Sequence, residues 1–203
     1  KRGSSRRAFR KCLMGKGGTE PIDPRTVPGQ DVHIALFERY ILLGGMNTQS
    51  ESSNLPTLEA VITAFDDRRD WVVSTNGSKL RCEYGLLALV PLLVEALPKI
   101  RNATGRMHIM FDFIPLARRD TRVVEAARDR LQDRSKAVRM HACEVLAYSL
   151  RHDAMLSLEP LLHHPEPETR ATAAAAIDAI HHQNHHFYLD RQHKGTSFWM
   201  VNP

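Results

Sequence analysis

A recurrence between Val123 and Ile180 constrains this chain more than any other feature. Two blocks align at an offset of 31 residues: Val124 with Met155, Ala127 with Leu158, Leu131 with Leu162, Val138 with Thr169, Arg139 with Arg170, Ala142 with Ala173, Val145 with Ala176, Leu146 with Ile177 and Ser149 with Ile180. Within each block apolar residues recur at the helical period, pause at a polar stretch and resume, so each block reads as helix, turn, helix. A fixed period between about 20 and 50 residues is the signature of stacked supersecondary units. One such unit cannot bury its apolar face alone. Stacking on a neighbour is therefore required, and the expected class is all-α.

Reading outward from these blocks gives about four helical hairpins, near 31–69, 79–117, 121–150 and 153–184. Leu80 to Leu97 is apolar on nearly every side and should be a central helix, with a kink at Pro91, which lacks the amide donor. Trp71, Val72 and Val73, before Ser74-Thr75-Asn76-Gly77, fit either a brief extended segment or a helix tail. Another helix is expected from about Thr104 to Ala117. After Asn184 the pattern changes to two β-prone runs, one through Phe187 and Tyr188 and one through Phe198 and Trp199, around a turn at Gly195. The expected organisation is a basic Gly/Pro-rich arm at 1–29, a helical repeat domain at 30–184 and an aromatic cap at 185–203. That cap is expected to be a small β-hairpin closing the open end of the stack.

The phrase Val138-Arg139-x-x-Ala142-x-x-x-Leu146, preceded by Leu131-x-Asp133, resembles the HEAT repeat, and Thr169 to Ile177 is a second, weaker copy. The resemblance implies an α-α superhelix in which a structural arginine, Arg139 or Arg170, bonds a turn aspartate and links successive repeats. Asp133 is placed for that role. His164 stands where the second aspartate belongs, so the ladder is expected to be incomplete.

Composition narrows the function. No apolar run reaches the roughly 20 residues of a membrane helix, and three dispersed cysteines, Cys12, Cys82 and Cys143, form neither a disulfide framework nor a metal knuckle. A cytoplasmic, reducing setting is the expectation. The net charge is +5, but Lys1, Arg2, Arg6, Arg7, Arg10, Lys11 and Lys16 all precede the first acid, Glu20. That arm suits either phosphates or packing on its own domain. No nucleophile elbow, phosphate loop or dinucleotide fingerprint occurs, so no catalytic residue and no cofactor are expected.

Histidines are the one metal-like cluster. His181/His185 and His182/His186 are spaced i, i+4, which would project both rings of a pair from one helical face, and His181 and His185 are the candidate metal pair. The plainer reading is imidazole complementing a helix C-terminus. Stacked hairpins expose long shallow grooves along their second helices, surfaces suited to macromolecules. Partner-binding candidates are Met140, His141, Glu144 and Tyr148 on the helix near 136–150, with His182, His186, Arg191 and Trp199 at the C-terminal shoulder. Small HEAT-like chains resemble bacterial immunity proteins, which implies a non-enzymatic inhibitor that neutralises a cognate toxin. One alternative is an adaptor or assembly factor. Another, from HEAT-like DNA glycosylases, is nucleic-acid binding or repair through Arg118, Arg119, Arg122, Arg128 and Arg130, with Trp71 and Trp199 stacking bases.

Overall fold

The computed structural model describes residues 55–195. Among these residues there are eight α-helices, several short 3-10 turns and no strands. Helix α1 is Leu58–Phe65 and α2 is Asp70–Tyr84, followed by α3, Leu86–Ala96, and α4, Ala103–Phe113. Next come α5, Thr121–Arg130, and α6, Lys136–Ser149. The short α7, Met155–Leu158, and the long α8, Pro167–His181, complete the set. In chain order the helices make four successive hairpin units, with α1 packed on α2, α5 on α6 and α7 on α8. The expected hairpin 31–69 is not one of them, because its first part lies outside the described residues and α1 pairs instead with α2, which spans the expected break between 69 and 79. The second helices α2, α4, α6 and α8 pack one on the next, and α1, α3 and α5 do the same on the other side.

Local chemistry explains the boundaries. The Thr57 hydroxyl accepts the Ala60 amide at 3.2 Å to start α1, and the Asp120 carboxylate accepts the Arg122 amide at 3.0 Å to start α5. Helix α6 ends with Leu150 in the left-handed region at φ 53°. Pro160 and His152 lie in 3-10 turns on either side of α7, which confines that helix to a single turn.

Two expectations are corrected here. The apolar segment 80–97 is divided at Gly85, whose φ of 79° and ψ of 143° suit glycine, and not at Pro91. Pro91 lies inside α3 on its exposed side, and Leu87, whose carbonyl would have accepted the missing amide, is itself 56% exposed. Water can serve that carbonyl, so the helix continues. Secondly, of the two readings of Trp71 to Val73 the extended one fails: the segment is helical, and with Ser74 to Gly77 it forms the first half of α2 and not the tail of a helix. Its poor helix formers are held by tertiary contacts, including Val73 in the core and Asn76 Nδ2 donating to the Ala64 carbonyl at 3.2 Å.

The core runs continuously between the two rows of helices. Phe65, Leu89, Leu93, Ile109, Met110, Phe113, Leu146, Leu158, Leu161 and Ile180 are its largest fully buried side chains. Val138, Ala142, Leu146 and Ala173 are buried as the repeat predicts, whereas Ile177 is only partly buried. Leu161 takes the buried position of its turn and leaves Leu162 at the surface.

Arginines tie the hairpins together. Arg106 on α4 holds Asp133, in the turn before α6, with two bonds of 2.7 and 2.9 Å, and both side chains are nearly inaccessible. Arg139 on α6 reaches Glu166, in the turn before α8, at 2.5 Å. Each arginine also donates to its own turn: Arg106 to the carbonyl of Ile100, Arg139 to that of Asp133 and Arg170 to that of His164. The missing turn aspartate at His164 therefore does not break the ladder, because Glu166, two residues later, supplies the carboxylate.

The C-terminal segment departs from the expected cap. His185–Tyr188 is a 3-10 turn and not a strand, and the second β-prone run, 196–201, lies outside the described residues, as do the 1–29 arm and Trp199. No helix among the described residues is long and apolar enough to cross a membrane.

Candidate binding face

Helix α6 presents Met140, His141, Glu144 and Tyr148 along one half-exposed stripe, and the neighbouring α4 and the C-terminal segment orient them. His141 Nδ1 meets Glu144 Oε2 at 2.8 Å, one helical turn on. The edge of the same ring system packs against Phe111 of α4, with centroids 5.8 Å apart at 79°. On α4, His108 Nε2 contacts Asp70 of α2 at 2.8 Å. Three successive second helices thus share one row of polar and aromatic contacts.

The C-terminal segment folds back onto this row. Tyr188 is buried, and its hydroxyl donates to the Met140 carbonyl at 2.8 Å. Burial, with Glu144 and Cys143 adding to it, raises the phenol well above its ordinary range, so it stays a neutral donor. Tyr148 lies with its ring 4.6 Å from that of His185, and its carbonyl accepts Arg118 Nε at 3.1 Å. Arg118 also donates to His185 Nδ1 at 3.0 Å, which places the imidazole proton on Nε2. That Nε2 is buried without a hydrogen-bond partner. Burial first, then His186 and Arg118, lowers His185 to about 4.

The expected shoulder residues are partly gathered. His186 lies against His185 with ring centroids 4.1 Å apart and planes tilted by 34°, while His182 is exposed at the end of α8, with Nδ1 3.1 Å from an Asp178 carboxylate oxygen. Arg191 is exposed on the segment that carries Tyr188. Asp178 also receives His193 Nε2 at 2.6 Å, and Phe187 stacks on the His193 ring at 3.7 Å.

The candidate metal pair is not brought together. Helix α8 stops at His181, and Gln183 turns the chain at φ 52°, so i, i+4 spacing no longer means a common face. His181 points into its exposed surroundings, edge-on to His182 at 4.9 Å, while His185 is buried against Arg118. Among the described residues, no three His, Cys, Asp or Glu side chains form a metal-binding group. Cys143 sits beneath a shallow cleft between α6 and α8, lined also by Lys136, Arg139, Met140, Glu168, Thr169 and Thr172. Burial pushes its thiol up to about 12, so it is a small apolar residue and not a nucleophile.

The basic residues that cluster in the sequence are mostly consumed by the fold. Arg122 is chelated by Asp120 and Arg128 by Glu125 and Asp153, while Arg118 is spent on Tyr148 and His185. Sequence reasoning missed Tyr188 and Phe111, which organise the α6 stripe. Their type, aromatic, was visible; the pairing was not. No protein-family model, curated protein or solved structure matches this chain.

Proposed function

We propose that this chain is a HEAT-like repeat protein acting as a non-enzymatic protein-binding module, and specifically an immunity protein that binds and neutralises a cognate bacterial toxin. The observation that carries the binding reading is the row across α4 and α6. Met140, His141, Glu144 and Tyr148 are half-exposed, and the last three side chains are held by Phe111, by the His141 to Glu144 contact and by His185. Side chains already held in place lose little rotamer freedom on association, which favours affinity. Tyrosine, methionine and aromatic neighbours are also the types enriched at interface centres. The toxin-neutralising part rests on the resemblance of small HEAT-like chains to immunity proteins.

The test is co-purification with the products of neighbouring genes, followed by affinity measurement. His141→Ala and Tyr148→Ala are each expected to weaken binding by more than about fivefold, the loss of about 1 kcal/mol seen at contributing interface positions. A partner held equally well by both variants would move the interface elsewhere. A captured partner whose toxicity is undiminished by this chain would sink the immunity reading while leaving the binding face standing.

A further inference from the structure

We propose that the edge formed by the hairpin turns binds the phosphate backbone of a single-stranded nucleic acid through Arg68, Arg101 and Arg134. This surface is separate from the α4 and α6 face and the inference does not depend on it. The three arginines stand 33 residues apart, one in each turn between the first and second helices of the first three hairpins. All three are exposed and none has a carboxylate within ion-pair distance among the described residues.

Direct bonds place these turns side by side. Asp66 Oδ1 accepts the amides of Arg101 and Asn102 at 3.0 and 2.8 Å, and the Thr104 hydroxyl donates to the Arg68 carbonyl at 3.3 Å. The Arg134 guanidinium lies 3.5 Å from the Arg101 carbonyl. Neighbouring helices pack about 8 to 10 Å apart, so the three cations form a row on the order of 20 Å long.

The acids of the same turns offset only part of that row. Asp67 is chelated by Arg69 and Asp133 is held by Arg106, which leaves Asp66, on neutral amides, and the exposed Asp70 against Arg68, Arg101 and Arg134. The local field is therefore positive although the described chain is nearly balanced, with 19 Lys and Arg against 18 Asp and Glu between residues 55 and 195. A protein partner would be met by an apolar centre. Beside the three arginines the large exposed hydrophobic residue is Trp71, three residues after Arg68, 66% exposed and with the Arg69 guanidinium 5.6 Å from its ring centroid. A line of cations with one exposed indole matches the needs of a single strand, which offers phosphates to arginine and unpaired bases to an aromatic ring.

The experiment titrates a fluorescent 12-nucleotide oligo-dT into the full chain by anisotropy between 50 and 200 mM salt. The N-terminal arm is also basic, so the readout is the difference between wild type and the triple variant Arg68→Gln, Arg101→Gln, Arg134→Gln. Three phosphate contacts at about 0.7 each predict that the variant's log affinity against log salt is flatter by about 2. Trp71→Ala should weaken oligo-dT about tenfold at an unchanged slope, and leave heparin binding as it was. The three single variants, each expected to flatten the slope by about 0.7, keep the test open should the triple variant melt early. A triple variant with the wild-type slope overturns the proposal. So does poly-glutamate displacing oligo-dT as well as unlabelled oligo-dT does, which would mark an acidic protein surface as the partner. Duplex bound as tightly as the single strand, with Trp71→Ala silent, overturns the single-strand assignment.

Discussion

Gly105 and His185 carry the most position-specific chemistry in the described chain. A Cβ on Gly105 would lie 2.0 Å from the Phe65 carbonyl oxygen and 2.8 Å from its carbon, both backbone atoms of the preceding hairpin. Helix α4 approaches α1 that closely because nothing projects from Gly105. Gly105→Ala must push the hairpins apart, and overpacking of this kind costs about 3 kcal/mol, read as a loss of denaturation midpoint in urea. His185 acts through charge. Its folded-state value of about 4 lies below the ordinary 6.5, with Arg118, His186 and Tyr148 facing it. The unfolded state therefore binds the extra proton first. Its contribution is fully present above pH 6.5 and is lost as pH falls through about 4. Wild type should lose stability across that window, and His185→Phe should lack this share of the slope, at most about 1.4 kcal/mol per pH unit. Equal slopes for the two would show that the ring titrates normally. At this scale the sequence reveals residue types but not environments: His181 and His185 look equivalent on paper, and one is exposed while the other is sealed against an arginine.

Elements were legible where periodicity was strong and obscure where tertiary contacts override it. Helices α5 and α6 begin and end close to where apolar spacing and capping residues place them. The Ser74-Thr75-Asn76-Gly77 stretch is made of poor helix formers, yet it is helical because Val73 sits in the core and Asn76 is fastened to α1. The C-terminal segment misleads in the opposite way. Its aromatic residues suggest a strand, but Tyr188 is directed to the Met140 carbonyl by a 3-10 turn, a contact between residues 48 apart that local pattern cannot foretell. That bond gives the element its own test. Tyr188→Phe keeps the buried ring and removes only the bond to the Met140 carbonyl, which retains its place in the α6 helical ladder, at a cost of about 1 kcal/mol. Hydrogen exchange should quicken at Leu189, Asp190 and His193, whose amides close the turns of this segment, while α3 and α4 exchange at wild-type rates. Uniform acceleration everywhere would mean that the segment is part of the global folding unit.

Across the described residues as a whole, stability is distributed along a ladder whose rungs join nearest neighbours. Arg106 to Asp133 joins the second hairpin to the third, and Arg139 to Glu166 joins the third to the fourth. The two rungs differ in burial. Arg106 and Asp133 have side chains 6% and 5% exposed, whereas Glu166 is 34% exposed. Asp133→Asn strands a buried guanidinium and should cost about 3 to 5 kcal/mol; Glu166→Gln, with water at hand, should cost about 1 kcal/mol or less. Burial works against the Asp133 charge, but Arg106 and the Ser135 amide outweigh it and hold the carboxyl below its usual range. The rung is thus present above the ordinary carboxylate range and fails as pH falls through the lowered value. The rungs meet through backbone groups, where Arg139 bonds the Asp133 carbonyl and its amide donates to the Ser135 carbonyl, contacts that the Asn substitution retains. In a nearest-neighbour stack the double variant should then be additive within about 0.5 kcal/mol in urea denaturation. A coupling well above that would show the arginines acting as a single network, in which case loss of one rung would loosen the next turn as well.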